Sequence, residues 1–66
     1  MSKQEHYDNL RAIYNKSLLS KKQLSKELGV SEATIDRLRK DGQLKSKPVL
    51  GQIMFSLDEV ARFLAE

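Results

Sequence analysis

Hydrophobic residues recur near the start of the chain at intervals of three and four. Tyr7, Leu10, Ile13 and Tyr14 therefore fall on one face of a helix, and most charged side chains of this stretch fall elsewhere. The pattern predicts an N-terminal helix over residues 2–17. Its apolar face must pack against the rest of the chain or against a second copy, and both alternatives stay open. We assign both tyrosines to this packing face rather than to a functional site.

A pair of short helices around a glycine turn is predicted next. Ser20 opens a capping box that begins the first helix, and Gly29 ends it; Ser31 then caps a second helix over residues 32–41. Helices joined by so short a turn must cross steeply, which is the geometry of a helix-turn-helix over residues 21–41. The small core that fixes this crossing is predicted to contain Leu24, Leu28, Val30, Ile35 and Leu38.

A β-hairpin and a closing helix complete the predicted order of elements. Residues 47–50 and 53–55 are short apolar runs around a Gly-Gln pair, and they predict two strands. Ser56 and Glu59 form a second capping box, and apolar residues repeat with helical spacing over 57–65. The predicted fold class is mainly α with a small β-hairpin wing, that is, a winged helix-turn-helix preceded by an extra N-terminal helix.

The chain length limits how much such a protein can hold. With 66 residues we expect a single domain over 1–66, at the lower edge of independent stability, with its wing over 43–55. Nearly every apolar side chain must then serve one shared core. Little of the chain is left to build an enzyme cleft.

The residue types needed for catalysis or metal binding are scarce. The sequence has no cysteine and a single histidine, His6, which we expect to face solvent. Thiol catalysis, disulfides and zinc fingers are therefore excluded, and a hydrolytic triad has no base in a suitable place. The three glycines are too far apart for a phosphate-binding loop, and Asp58 and Glu59 are explained by helix capping. We expect no enzyme activity, no cofactor and no metal site.

Charge is distributed unevenly along the chain. Residues 20–48 carry a net charge of +4, whereas residues 1–19 carry +1 and residues 49–66 carry −2. A basic middle segment fits a face that binds a polyanion, although ordinary surface charge explains it equally well.

No apolar run approaches the roughly 18 residues that span a membrane, so we expect neither a signal peptide nor a membrane span. The lack of cysteine fits a reducing, intracellular setting, and we expect a cytoplasmic protein.

Residues 23–38 resemble the bacterial and phage helix-turn-helix pattern. From residue 19 to residue 64 the order of elements resembles the excisionase and AlpA-like winged helix-turn-helix proteins, which are related to MerR-type regulators. The resemblance is carried by the leucine-rich first helix, by Gly29-Val30-Ser31, by the run 34–42, by Phe55, and by the segment 56–60. It implies a recognition helix over 32–41 in the major groove and a wing along the adjacent backbone or minor groove.

The helix-turn-helix pattern also suggests which residues contact double-stranded DNA. Arg37 could donate paired hydrogen bonds to the edge of a guanine base, and Ser31 and Thr34 could reach bases or phosphates. Glu32 and Asp36 place carboxylates on the groove face, where they repel phosphates unless they accept from a cytosine amino group or pair with Arg37 or Lys40. The lysines before the hairpin, Lys45 and Lys47, could bind the DNA backbone or merely keep an edge strand soluble. The predicted DNA-binding residues are Lys21, Lys22, Ser31, Glu32, Thr34, Asp36, Arg37, Arg39, Lys40, Lys45 and Lys47.

Two functional interpretations remain at this point. The first is a sequence-specific DNA-binding protein, either an excisionase-type recombination directionality factor or a small transcriptional regulator, with an integrase as a candidate partner and with dimeric or cooperative binding on DNA left open. The second follows from the end of the wing over residues 49–54, which is apolar and uncharged and departs from the arginine-rich wing of the family. It is a protein-interaction module, similar to phage terminase small subunits, that uses the wing and the N-terminal helix.

Overall fold

The computed structural model describes residues 2–66, and within them it contains helices and one small antiparallel sheet. The elements in chain order are α1 (Lys3–Tyr14), β1 (Leu18–Ser20), α2 (Lys21–Leu28), α3 (Glu32–Lys40), β2 (Lys47–Val49), β3 (Gln52–Ser56) and α4 (Leu57–Ala65). The described chain is mainly helical and carries a β-hairpin between α3 and α4. The predicted fold class is confirmed.

The sheet contains a strand that the hydrophobic pattern did not predict. Its order is β1-β3-β2, with β3 in the middle and both neighbours antiparallel to it. In the β1–β3 pair Leu19 lies opposite Phe55, and both side chains are fully buried. A strand of three residues is too short to show an alternating pattern, and its hydrogen-bonding partner lies far away in the sequence. The sheet therefore joins the segment before the helix-turn-helix to the hairpin after it.

The first helix is shorter than the predicted range of residues 2–17. Asn15 adopts a left-handed conformation with φ of 50°, and its backbone N–H donates to the carbonyl of Arg11 at 2.8 Å. This cap ends α1 and turns the chain toward β1. At the other end Ser2 and Glu5 form a capping box, with hydrogen bonds of 3.1 and 3.2 Å.

The apolar face of α1 packs against α4. Leu10 is 2% exposed at the centre of this contact, and Tyr7 and Tyr14 pack against the same core. Of the two alternatives for this face, packing within the chain is the one observed. Ile13 departs from the prediction because it is 64% exposed.

The N-terminal helix is also tied to the helix-turn-helix through α2. The Tyr14 hydroxyl donates to Glu27 Oε1 at 2.7 Å, and the Lys16 ammonium donates to Gln23 at 2.9 Å. Burial, and then the hydrogen bond with Glu27, raise the pKa of Tyr14 to about 12. The phenol therefore stays a hydrogen-bond donor to α2 throughout the neutral range.

The core of the helix-turn-helix differs from its prediction at one position. Leu24 and Ile35 are fully buried, and Leu28 and Leu38 pack against them. The prediction that Val30 turns inward is wrong, because its side chain is 38% exposed. Gly29 is left-handed with φ of 69°, and the following N–H bonds back to the carbonyl of Ser25 at 3.0 Å, which holds this turn at the surface. Leu44, after α3, fills the core instead.

Candidate DNA interface

The helix α3, which corresponds to the predicted recognition helix, begins at a hydroxyl cap. Ser31 Oγ accepts a hydrogen bond from the backbone N–H of Thr34 at 3.2 Å and lies 3.1 Å from the Thr34 hydroxyl. The predicted cap is confirmed, and the two hydroxyls are brought together at the start of the helix. Ile35, fully buried one turn later, holds the inner face of α3 on the core. The outer face carries the exposed residues Ser31, Glu32, Ala33, Arg37 and Lys40.

Arg37 and Lys40 are the exposed cations of this outer face. Within residues 2–66 neither side chain forms an ion pair, so neither charge is neutralised by the chain. Both lie in the last turn of α3, where positive charge also complements the helix dipole. A face of this kind can attract phosphate groups and place a guanidinium at the edge of a base.

Asp36 binds a different pair of cations from those that the sequence suggested. Its carboxylate lies 3.0 Å from the Lys21 ammonium and 3.3 Å from Arg39 Nη2, whereas the expected partners were Arg37 and Lys40. Lys21 reaches across from the first turn of α2, and Arg39 is three residues along on α3. The three side chains are each about one-third exposed or less. We call them the Asp36 cluster.

The Asp36 cluster removes much of the charge of its members from the surface. Hydrogen bonds from Lys21, and then from Arg39, hold the pKa of Asp36 below its ordinary value, so the carboxylate is ionised at neutral pH. One of the two positive charges is compensated by Asp36, and both side chains are held in place by it. Lys21 and Arg39 are therefore less available to an external phosphate than the exposed Lys22 and Lys40.

The remaining predicted site residues lie away from α3. Lys22 is exposed in the first turn of α2, and Lys45 and Lys47 are exposed between α3 and the hairpin. Lys47 begins β2, which is an edge strand of the sheet. Among the described residues, the structure records no hydrogen bond or ion pair from either of these two lysines to α3. Exposed cations are thus present both on the helix-turn-helix and at the base of the hairpin.

The loop between α3 and the hairpin is held by the side chains of Glu59 and Arg62. The sequence predicts a capping role for Glu59 and no role for Arg62. Glu59 Oε2 accepts from the backbone N–H of Lys45 at 2.9 Å, and Arg62 Nη2 donates to the carbonyl of Gln43 at 2.9 Å. Glu59 and Arg62 are also paired with each other at 2.6 Å. The predicted capping box at Ser56 is therefore half right: Ser56 caps α4, but the Glu59 carboxylate turns to the loop. The three-residue spacing of Glu59 and Arg62 is compatible with an ion pair on one helix face, but no local signal in the sequence indicates their contact with the loop.

We expect Glu59→Gln to lower the free energy of unfolding by about 1–2 kcal/mol, because a largely buried charged acceptor is lost. Hydrogen bonds from Arg62, and then from the Lys45 backbone, hold the pKa of Glu59 below its ordinary value of 4.5. A lowered folded-state pKa stabilises the fold above the unfolded value, and this stabilisation is lost as the pH falls through the folded value. Urea unfolding should be measured at neutral pH and at progressively lower pH. The difference in the free energy of unfolding between the wild type and Glu59→Gln should shrink as the pH falls below 4.5.

The matched control for this substitution is the neighbouring carboxylate. Asp58 pairs with Lys3 at 3.0 Å, but its side chain is 71% exposed. Asp58→Asn should therefore change stability little. An equal loss in the two variants would contradict the role assigned to Glu59.

The hairpin closes with a two-residue turn, as predicted, but at a different pair of residues. Val49 pairs with Gln52, so the loop consists of Leu50 and Gly51, whereas the predicted strand ran to residue 50 and the predicted loop was Gly51-Gln52. Both loop residues have positive φ, 51° at Leu50 and 80° at Gly51, as in a type I′ turn. The Leu50 side chain is 99% exposed at the tip. We call Leu50 and Gly51 the wing tip.

Two short helices crossing at a glycine turn, followed by a β-hairpin and a packing helix, define a winged helix-turn-helix protein. A family model described as a helix-turn-helix domain matches residues 18–66. The chain belongs to this helix-turn-helix family, which includes excisionase and AlpA-like DNA-binding proteins, so the resemblance is confirmed. The match begins at β1 and leaves α1 outside. Searches of the curated proteins and of the solved structures found no significant match.

Two further features of residues 2–66 concern other kinds of site. In this part of the chain, no group of three or more histidine, cysteine or carboxylate side chains is placed to hold a metal ion. Over the same residues, no helix is both long and apolar enough to cross a membrane.

Proposed function

We propose that this chain is a sequence-specific double-stranded DNA-binding protein that places α3 in the major groove. Membership of the helix-turn-helix family supports DNA as the partner. The observation that carries the proposal is the outer face of α3, where Arg37 and Lys40 are exposed and form no ion pair within residues 2–66. Buried Ile35 on the opposite side gives this face a fixed orientation. A helix of this width fits the major groove of B-form DNA.

Within this proposal the polar residues of α3 have different roles. Arg37 donates paired hydrogen bonds to a guanine edge, and Glu32 accepts from a cytosine amino group. Ser31 and Thr34, already joined at the start of the helix, reach a base or a phosphate together. The exposed lysines bind phosphates and set affinity rather than sequence preference. These phosphate-binding lysines are Lys22, Lys40, Lys45 and Lys47.

The biological role that we propose is recombination or transcription control in a bacterial or phage setting. It is supported by a family that includes excisionase and AlpA-like proteins and whose DNA-binding members are typically non-enzymatic. As an excisionase-type directionality factor or a small regulator, the chain acts on DNA by binding, without a cofactor. Residues 1–66 act as one domain, and an integrase is the candidate protein partner of the excisionase role.

Selection from a pool of duplexes with a randomised central segment tests the proposed function. Repeated rounds of binding and amplification should enrich one motif that contains a guanine read by Arg37. Enrichment of no motif by the folded wild-type chain would rule out sequence-specific binding. The selected duplex is then the probe for each variant below.

The Asp36 cluster leads to a prediction of increased affinity. Asp36→Asn removes a negative charge from the DNA-facing side and releases Lys21 and Arg39, which now lie 3.0 and 3.3 Å from the carboxylate. We expect tighter binding to a duplex of unrelated sequence and a steeper salt dependence, with a change in slope of about −0.9 for each released cation that reaches a phosphate. Fluorescence anisotropy at several salt concentrations measures both quantities.

The control for Asp36→Asn is Asp8→Asn, which makes the same change of charge on an exposed position of α1. This control should raise affinity slightly through net charge and leave the slope unchanged. If the two variants behave alike, the Asp36 cluster does not restrain DNA binding.

The alternative, a protein-interaction module, has lost one of its two proposed surfaces. The apolar face of α1 is occupied by α4 within the chain, with Leu10 buried between them. The wing tip remains exposed, and its leucine needs an explanation in either case.

A further inference from the structure

We propose that Leu50 at the wing tip is an apolar wedge that enters the minor groove beside the recognition helix and bends the DNA. The inference rests on the proposed function and adds a deformation of the DNA to it. Its basis is an exposed leucine in a strained turn, on a hairpin whose one charged residue is Lys47 and whose approach carries Lys45.

The first residue of the wing tip is unusual for this type of turn. A two-residue loop with positive φ at both positions favours Asn-Gly, because asparagine tolerates the left-handed region and a branched apolar side chain does not. Here the first position is Leu50, with φ of 51°. The side chain is 99% exposed and so contributes nothing to the core. Neither turn formation nor packing within the chain accounts for a leucine at this position.

The charge around the wing tip favours a nucleic acid as its binding partner. From residue 42 to residue 57 the sequence has no carboxylate, and its charged residues are Lys45 and Lys47. Both lysines are exposed on the approach to the hairpin. They can bind phosphates beside the groove that the tip enters.

The size of the apolar surface distinguishes DNA from a protein partner. A stable protein interface buries about 800 Å² on each side, which one leucine with polar or partly buried neighbours does not supply. A single leucine is enough for a minor-groove wedge, in which an apolar side chain enters between two base pairs, unstacks them and kinks the duplex. Pro48 and Gln52, which flank the tip across the hairpin, are exposed and add little apolar area.

The dimensions of the protein allow both contacts on one duplex. One helical turn of B-DNA, about 34–36 Å, contains one major and one minor groove, so the centres of neighbouring grooves lie about half a turn, or ~17 Å, apart. The longest dimension of the folded chain is 27 Å and exceeds this distance. The hairpin is held firmly at its base, because Glu59 and Arg62 fix the preceding loop and β3 is paired on both sides.

The test compares Leu50→Asn with Leu50→Met on a duplex of about three helical turns that carries the selected site and a dye at each end. Asparagine suits the turn and removes the wedge, whereas methionine keeps an apolar side chain. We expect Leu50→Asn to unfold at the same or higher urea concentration than the wild type, to bind about ten-fold more weakly and to bring the dyes less close together. Leu50→Met should bend the DNA like the wild type. Ile13→Ala, at an exposed apolar residue of α1, should change neither quantity.

Each other outcome has a definite meaning. If Leu50→Asn binds and bends the duplex like the wild type, the wedge is wrong and the proposed DNA binding by α3 stands. Weaker binding with an unchanged bend also rules out the wedge, since a wedge must act on DNA shape. If the wild-type chain selects no duplex at all, both the proposed function and the wedge are wrong. A stable Leu50→Asn variant that loses affinity and bending together, with Leu50→Met retaining both, supports the wedge.

Discussion

Arg37→Ala should weaken binding to the selected duplex by about 1–3 kcal/mol, which is roughly a 5- to 150-fold loss of affinity. The guanidinium is exposed on the outer face of α3 and forms no ion pair within residues 2–66, so its removal leaves the recorded contacts of the fold intact. Binding to a duplex of unrelated sequence should fall much less, because only the base contact is lost. Repeating the selection with the variant should show relaxed preference at one base pair of the motif.

Arg11→Ala is the matched control for Arg37→Ala. Arg11 is also an exposed helical arginine, but it lies on α1, outside the segment that matches the helix-turn-helix family. Both substitutions remove one positive charge and leave a good helix former. An equal loss of affinity in the two variants would show that net charge, and not a contact from α3, sets the binding.

The elements with local signals were predicted well. Ser20 and Gln23 form the predicted capping box, Gly29 makes the left-handed turn, and Ser31 caps α3. In each case the hydrogen bonds join residues three or four apart, so the sequence contains both partners. The helix-turn-helix and the closing helix could be read from the chain for this reason.

The features that depend on distant contacts could not be predicted in the same way. β1 exists because Leu19 pairs opposite Phe55, across two helices and a hairpin. The spacing around the glycine turn predicts Val30 in the core, but the geometry of the turn leaves it at the surface while Leu44 enters the core. The end of α1 depends on a left-handed asparagine, which propensity does not distinguish from a helical one.

The candidate site shows the same division. Exposure of Arg37 and Lys40 follows from helical periodicity and could be predicted. The partners of Asp36 could not be fully predicted, because Lys21 arrives from another helix, although the spacing to Arg39 is local. The exposed leucine of the wing tip was visible in the sequence, but its left-handed backbone required the register of the hairpin.

The salt dependence of DNA binding tests the central claim most directly. If the exposed Lys22, Lys40, Lys45 and Lys47 each bind a phosphate, the logarithm of the association constant should fall with the logarithm of salt concentration at a slope of about −3.6, since each contact contributes about −0.9. Lys40→Ala should make the slope shallower by about one contact. Fluorescence anisotropy of the wild-type chain on the selected duplex gives this slope. A slope near zero, or binding that Lys40→Ala and Arg37→Ala both leave unchanged, would contradict DNA recognition by α3.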